Sequence, residues 1–268
     1  MSRIVCAGLV FDYPGEVRAL DGIDLTISAG ERVAIVGQNG SGKTTLVRHF
    51  NGLLRPTSGK VTVGDLDTSN TRIAQLAAHV GLAFQDPDRQ IFASSVDGEV
   101  SFGARNVGRS GKALDEAVGS ALESVGLTGE RKTNPYDLGY TRRKLLTIAS
   151  VLAMETPIVV FDEPTTGQDA HGVRTIEGIV ETLGAAGRTV VCISHDLRFV
   201  AESFERVVVL RGGRVILDGS PEVVFAEDNW DALRSTNLKP PYAARVGAGL
   251  GLGSTPTQQS VVSALVAR

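Results

Sequence analysis

Nine consecutive residues, Gly37-Gln38-Asn39-Gly40-Ser41-Gly42-Lys43-Thr44-Thr45, constrain this 268-residue chain more tightly than any other stretch. They follow the apolar run Arg32-Val33-Ala34-Ile35-Val36 and open a segment with helical patterning. A glycine-rich loop between a strand and a helix is the setting in which the G-x-x-x-x-G-K-[ST] spacing binds phosphate. The glycines let successive backbone N–H groups curl around an anion without a Cβ in the way, and the helix N-terminus adds partial positive charge. Lys43 is expected to reach the outer phosphates of ATP and the Thr44 hydroxyl to ligate Mg2+. Gly37, Asn39, Gly40, Ser41, Gly42, Lys43, Thr44 and Thr45 form the expected phosphate cradle. Residues 109–112 repeat the tripeptide Ser-Gly-Lys, but no strand precedes them and the first glycine is wrongly spaced, so they read as a loop.

The rest of the chain fits an α/β fold. Short β-branched runs at 4–10, 32–36, 79–84, 158–161, 189–193 and 206–210 read as buried strands, several of them separated by helical patterns. Parallel strands joined by crossover helices are the expected arrangement. Residues 3–13, 23–27 and 60–63 have a different texture, short strands with turn signals between them, which predicts an antiparallel subsheet. Residues 96–152 carry helical periodicity and no strand, and read as a helical insertion between two core strands. Near Leu238 the character changes again: Pro240-Pro241 stops any helix, residues 247–257 are glycine-rich, and 260–267 read as a last apolar helix.

Other polar residues fall at predicted strand ends. The run Ile158-Val159-Val160-Phe161 ends in Asp162-Glu163, a pair common in turns but informative downstream of a phosphate loop. Asp162 would help hold Mg2+ and Glu163 would polarise the attacking water. His195 follows residues 189–193, at the sheet edge from which a side chain reaches a γ-phosphate. Gln85 ends the 79–84 strand, placed to ligate Mg2+ or its water, to serve catalysis, and to report that state to the helical insertion. Tyr13 could stack on the purine of ATP, with Phe11 its competitor on the same face. His49, His79 and His171 lack such settings and read as ordinary histidines.

Composition sets limits. Hydrophobic residues make up 42 % and charged residues 21 %, and a net charge of −3 gives no reason to expect a nucleic-acid partner. The opening residues lack the apolar run of a secretory signal, and no stretch of about 18 apolar residues is present to span a bilayer. Cys6 and Cys192 lie far apart in apolar segments, as reduced core thiols do in the cytosol. The four histidines lack metal-ligand spacing, so no zinc site is expected.

Taken in order, Tyr13, the 37–45 loop, Gln85, Asp162-Glu163, the loop Thr165-Thr166-Gly167-Gln168-Asp169 and His195 resemble the ATP-binding subunit of an ABC transporter across about residues 3–225. The resemblance implies a P-loop NTPase fold of the ABC ATPase type, with an ATP-binding domain at 1–225, its helical insertion at about 86–155, and a C-terminal extension at 226–268. It also implies two subunits clamped head to tail, with ATP between one phosphate loop and the other subunit's signature motif, and Asp169 in the intervening loop. Phe84-Gln85-Asp86-Pro87-Asp88-Arg89-Gln90-Ile91-Phe92, with the 96–103 segment after it, resembles the ATPases of energy-coupling factor (ECF) transporters, which import vitamins and transition-metal ions in prokaryotes. Partners would then be integral membrane subunits, a scaffold and a substrate-binding component. A second ATPase would complete a homodimer or heterodimer at the cytoplasmic face of the cell membrane.

One segment departs from the pattern. Where the family usually reads Leu-Ser-Gly-Gly-Gln, this chain has Leu138-Gly139-Tyr140-Thr141-Arg142. Side chains stand where close backbone approach is needed, and Gly139 has no hydroxyl, so the ATP site completed by Gly139, Tyr140 and Thr141 is expected to be weakened or specialised. Two other classes compete with the transport ATPase. A soluble ATP-driven clamp would normally carry paired cassettes, coiled coils or zinc motifs, and a phosphate-loop kinase has no use for Gln85, the signature helix or His195.

Overall fold

The computed structural model describes residues 3–267. Ten strands occupy Ile4–Tyr13 (β1), Val17–Ile27 (β2), Arg32–Val36 (β3), Ser58–Val63 (β4), Leu66–Asp67 (β5), Val80–Ala83 (β6), Ile158–Asp162 (β7), Thr189–Ile193 (β8), Arg206–Arg211 (β9) and Arg214–Gly219 (β10). The helices are Lys43–Phe50 (α1), Ile73–Ala77 (α2), Val96–Asn106 (α3), Gly111–Ser124 (α4), Tyr140–Leu152 (α5), Ala170–Ala185 (α6), Leu197–Ser203 (α7), Pro221–Val224 (α8), Trp230–Arg234 (α9), Tyr242–Gly249 (α10) and Gln258–Val266 (α11).

The strands form two sheets. An antiparallel one runs β2-β1-β4-β5, and a six-stranded one runs β10-β9-β3-β8-β7-β6. In the larger sheet the five strands from β9 to β6 are mutually parallel, and β10 adds an antiparallel edge. This is the mixed α/β fold expected from the sequence, with β10 as an addition: the Gly212-Gly213 pair, both at positive φ, turns the chain straight back from β9. The expected strands at 23–27 and 60–63 start earlier than their apolar cores, at Val17 and Ser58.

Alternation along the central strands feeds two cores. Ala34, Val36, Val159, Phe161, Val190, Cys192, Val207 and Val209 point into one core, shared with the helices α3 to α7. Val33, Ile35, Ile158, Val160, Val191, Ile193, Val208 and Leu210 point into the other, shared with α1 and the antiparallel sheet. A strand that is apolar at every position is the signature of a sheet covered on both faces. Helices show the matching 3.6 period: α4 buries Leu114, Ala117, Val118, Ala121 and Leu122, and α6 buries Ile176, Ile179, Val180 and Leu183.

Residues 96–152 are helical, as their periodicity predicts, with α3 packed on both α4 and α5. The 109–112 segment is a loop only as far as Ser110, because Gly111 and Lys112 already begin α4. C-terminal to Phe225, Leu233, Leu238 and Ala244 join the helix-side core. Helix α10 was not signalled by the sequence, since Gly247 and Gly249 lower its propensity; it forms where Gly247 lets Thr255 pack against it, and a Cβ there would meet the Thr255 hydroxyl at 1.7 Å. The terminal apolar helix is present as α11, none of whose residues is buried. Among the described residues no helix is long and apolar enough to cross a membrane.

Candidate functional site

Four of the parallel strands deliver their C-terminal ends to one spot, the usual ligand edge of an open α/β sheet. The loop after β3 leads into α1, Asp162 and Glu163 end β7, His195 follows β8, and Gln85 follows β6. Together they line a cavity of about 250 Å3 with Asn39, Gly40, Ser41, Gly42, Lys43, Thr44 and Thr45.

The loop needs its glycines. Gly37 has φ 151° and a Cβ there would lie 2.2 Å from the Leu210 carbonyl oxygen, while a Cβ on Gly42, at φ 103°, would lie 2.6 Å from that of Ala19. Only glycine permits both the dihedrals and the close approach. Lys43 is buried, and its Nζ donates to the Gly37 and Gln38 carbonyl oxygens at 2.7 and 3.0 Å. Burial lowers its pKa, and the charges of Glu163 and Asp162 oppose that shift. The Asn237 amide in the C-terminal segment donates to Gln38 Oε1 at 2.9 Å.

Glu163 is held in an unusual backbone state, φ 52°, and its N–H donates to the Ile193 carbonyl at 2.9 Å. Its Oε2 accepts from the His195 backbone N–H at 3.2 Å and from the Thr166 hydroxyl at 3.5 Å. Its Oε1 lies 3.0 Å from His195 Nε2, out of line for a hydrogen bond, so this buried oxygen has no donor among the described residues. Burial raises the Glu163 pKa, with the His195 N–H pulling the other way, and burial likewise raises that of Asp162 against its hydrogen bond from Thr44. Burial first, then the Lys43 charge, lowers the His195 pKa, which favours the neutral ring.

Thr44 Oγ1 donates to Asp162 Oδ1 at 3.4 Å, with Gln85 lining the same cavity. A hydroxyl, a carboxylate and an amide oxygen make a hard oxygen set that fits Mg2+.

Other expected residues fall outside this cavity. Gly37 starts the loop but does not line the cavity. Tyr13 flanks it, its hydroxyl 3.1 Å from Thr45 Oγ1 and its ring edge-on to buried Phe11. Asp169 caps α6 by accepting from the Gly172 N–H at 2.8 Å. Gly139 is the N-cap of α5, and Thr141 donates to the Gly167 carbonyl at 3.1 Å. Tyr140 packs its ring over Gly167 and lines a neighbouring 610 Å3 cavity with Thr44, Gln85 and Asp162. Buried His49 sits 2.8 Å from the Thr45 carbonyl, and both cysteines are buried and free, with burial pushing the Cys6 thiol up to about 12. The sequence reading placed Thr166 in the 165–169 loop without foreseeing its bond to Glu163, and it missed Lys144, a polar residue whose spacing matches no motif.

The sequence model of the ABC transporter family matches residues 20–166. The chain belongs to the ABC transporter ATP-binding proteins, an ATP-hydrolysing family. Among ABC relatives, one from Methanosarcina acetivorans is 46 % identical over 77 % of this chain, which spans only 39 % of that protein. Two further ABC relatives are likewise about two-fifths matched, at 41 % and 42 % of their length. The energy-coupling factor transporter ATP-binding protein EcfA of Methanothermobacter thermautotrophicus is 37 % identical over 88 % of this chain and 76 % of its own. CbiO1 of Clostridium perfringens, described as part of the ABC transporter complex CbiONQ, superimposes with TM-score 0.76 at 35 % identity, covering 92 % of this chain and 98 % of CbiO1. The ABC transporter cassette MJ0796, solved as a dimer, gives TM-score 0.75 at 26 % identity over 81 % of this chain and 98 % of its own.

Proposed function

We propose that this ABC ATPase is the ATP-hydrolysing subunit of an ECF-type importer of a vitamin or transition-metal ion, bound peripherally to the cytoplasmic face of a membrane. The observation that carries the catalytic half is the buried, donor-free Oε1 of Glu163 in the wall of the phosphate cavity. An attacking water satisfies that oxygen by donating to it, which aims the water's lone pair at the γ-phosphorus. The bond to the β,γ-bridging oxygen breaks as the new P–O bond forms, giving ADP and inorganic phosphate. Neutral His195 lies beside the same carboxylate, Lys43 leaves its loop carbonyls for the phosphates, and Tyr13 flanks the base. Thr44, Asp162 and Gln85 would hold Mg2+, which when bound supplies countercharge to the phosphates.

The coupling half rests on residues 85–103. Phe92 and Phe102 are 59 % and 48 % exposed, yet stack edge-on with centroids 4.6 Å apart at a 510 Å3 groove shared with Phe84 and Met154. Exposed aromatics in a groove beside Gln85 suit a helix of a membrane subunit. The likeness to EcfA and CbiO1 supports the importer class, and the dimeric MJ0796 supports a paired assembly, whether homodimer or heterodimer. Affinity purification of the tagged chain from its native cells in mild detergent tests the proposal. A membrane scaffold, a small substrate-binding membrane protein and a second ATPase are the expected companions; soluble partners alone would overturn the transport reading in favour of a soluble clamp.

A further inference from the structure

Lys144 stands in the second turn of α5 with only 1 % of its surface exposed, among the largest fully buried side chains of the molecule. Its neighbours in sequence, Leu145 and Leu146, are buried too, so an apolar residue would serve packing at this position. Desolvating an ammonium group is expensive unless it is well partnered. Among the described residues no carboxylate forms an ion pair with it; Nζ instead donates to the main-chain carbonyl of Gln85. Burial pulls its pKa down to about 8, opposed chiefly by the charges of Asp162 and Glu163 and more weakly by that of Asp86.

That contact is one of several joining α5 to the segment after β6. Arg143 reaches Asp88 at 3.1 Å, and the Gln90 side chain donates to the Thr147 carbonyl at 3.1 Å and the Ser150 hydroxyl at 3.0 Å. One turn earlier, α5 holds the loop that follows β7: Thr141 donates to the Gly167 carbonyl, and Gln168 Nε2 donates to the Thr141 carbonyl, both at 3.1 Å. The first three turns of one helix thus brace both flanks of the nucleotide cavity.

We propose that Lys144 is a positioning residue, which from the helical insertion fixes the backbone of Gln85 and so its side chain against Asp162 and Glu163. The inference rests on the proposed role of Gln85. Movement of α5, which lines the groove beside residues 84–103 through Ser150 and Val151, is then felt at the site through a buried cation. An ammonium suits this task because it keeps hold of a carbonyl while adding countercharge near two carboxylates, which no apolar side chain does.

The test compares the full chain with Lys144→Met and Lys144→Arg, reading phosphate release, ATP affinity, thermal midpoint and amide hydrogen exchange. Lys144→Met should lower kcat by about tenfold while KM for ATP stays within about twofold, with Lys144→Arg recovering most of the loss. Amides at 85–91 should exchange faster in the Met variant while those at 37–45 keep their rate. Wild-type kcat and exchange in Lys144→Met would overturn the proposal. So would a fall in kcat, ATP affinity and thermal midpoint together with faster exchange throughout, because that marks a packing role alone. Absence of phosphate release from the wild type would break the ATPase reading instead, and the exchange comparison would still decide for or against Lys144.

Discussion

Helices α1 and α5 both begin without a side-chain cap and without an acidic residue in the first turn. Both therefore leave backbone N–H groups and a positive dipole end unanswered by their own sequence. Around α1 the preceding glycines keep the approach open, and the Lys43 ammonium folds back onto two loop carbonyls. Around α5 a single glycine precedes a tyrosine and a threonine, both engaged with Gly167. Its first-turn cations are engaged within the fold too, Arg142 with Glu130 at 2.5 Å and Arg143 with Asp88 and with the Leu138 carbonyl at 2.7 Å. On the proposed function, the same helix end would be a phosphate cradle when glycines clear it and a structural anchor when side chains fill it.

Four substitutions break or sharpen this contrast. Lys43→Ala should bring phosphate release to background, a loss of roughly 10³-fold, because the charge that answers the phosphates is gone. Residual turnover within tenfold of wild type would show that the α1 end works without it. Glu163→Gln should slow hydrolysis by about 10²-fold and leave ATP binding nearly intact, since the amide keeps the shape and loses the strong acceptor. Normal turnover would move the catalytic carboxylate elsewhere. Gly37→Ala should destabilise the fold by about 2 kcal/mol or more in urea unfolding, as its Cβ has no room beside Leu210. The counterpart at the other helix, Gly139→Ser, meets nothing within 4 Å and sits at φ −62°. It should stabilise the chain by a few tenths of a kcal/mol through capping. A cost above about 1 kcal/mol there would show that the α5 end is as constrained as the α1 end.

What the sequence made legible was whatever chemistry fixes locally. The phosphate loop, the Asp162-Glu163 pair and His195 each follow a buried strand, so their positions could be read from apolar runs and one parallel-sheet argument. The helical insertion was equally plain from its period. Hidden were features set by distant contacts. Strand β10 needed the two-glycine turn after Arg211 to be read as a hairpin, and α10 forms against its own residue propensities because Thr255 fits beside Gly247. Lys144 was invisible for a different reason: its partner is a main-chain oxygen 59 residues away, and carbonyls leave no mark on the sequence. Likewise, nothing in the letters showed that Tyr140 and Thr141 would meet Gly167.

The two-core alternation of the central sheet has a consequence for how such a chain can change length. Each central strand obeys a parity rule, odd and even positions belonging to different interiors. One residue inserted within β7 would reverse that parity for everything downstream in the strand, sending Phe161 to the wrong interior and turning Asp162 away from Thr44. Insertions of the same size between α4 and α5, where no strand counts residues, leave the parity untouched. Length variation compatible with this fold is therefore quantised in pairs inside the sheet and free in the helical insertion.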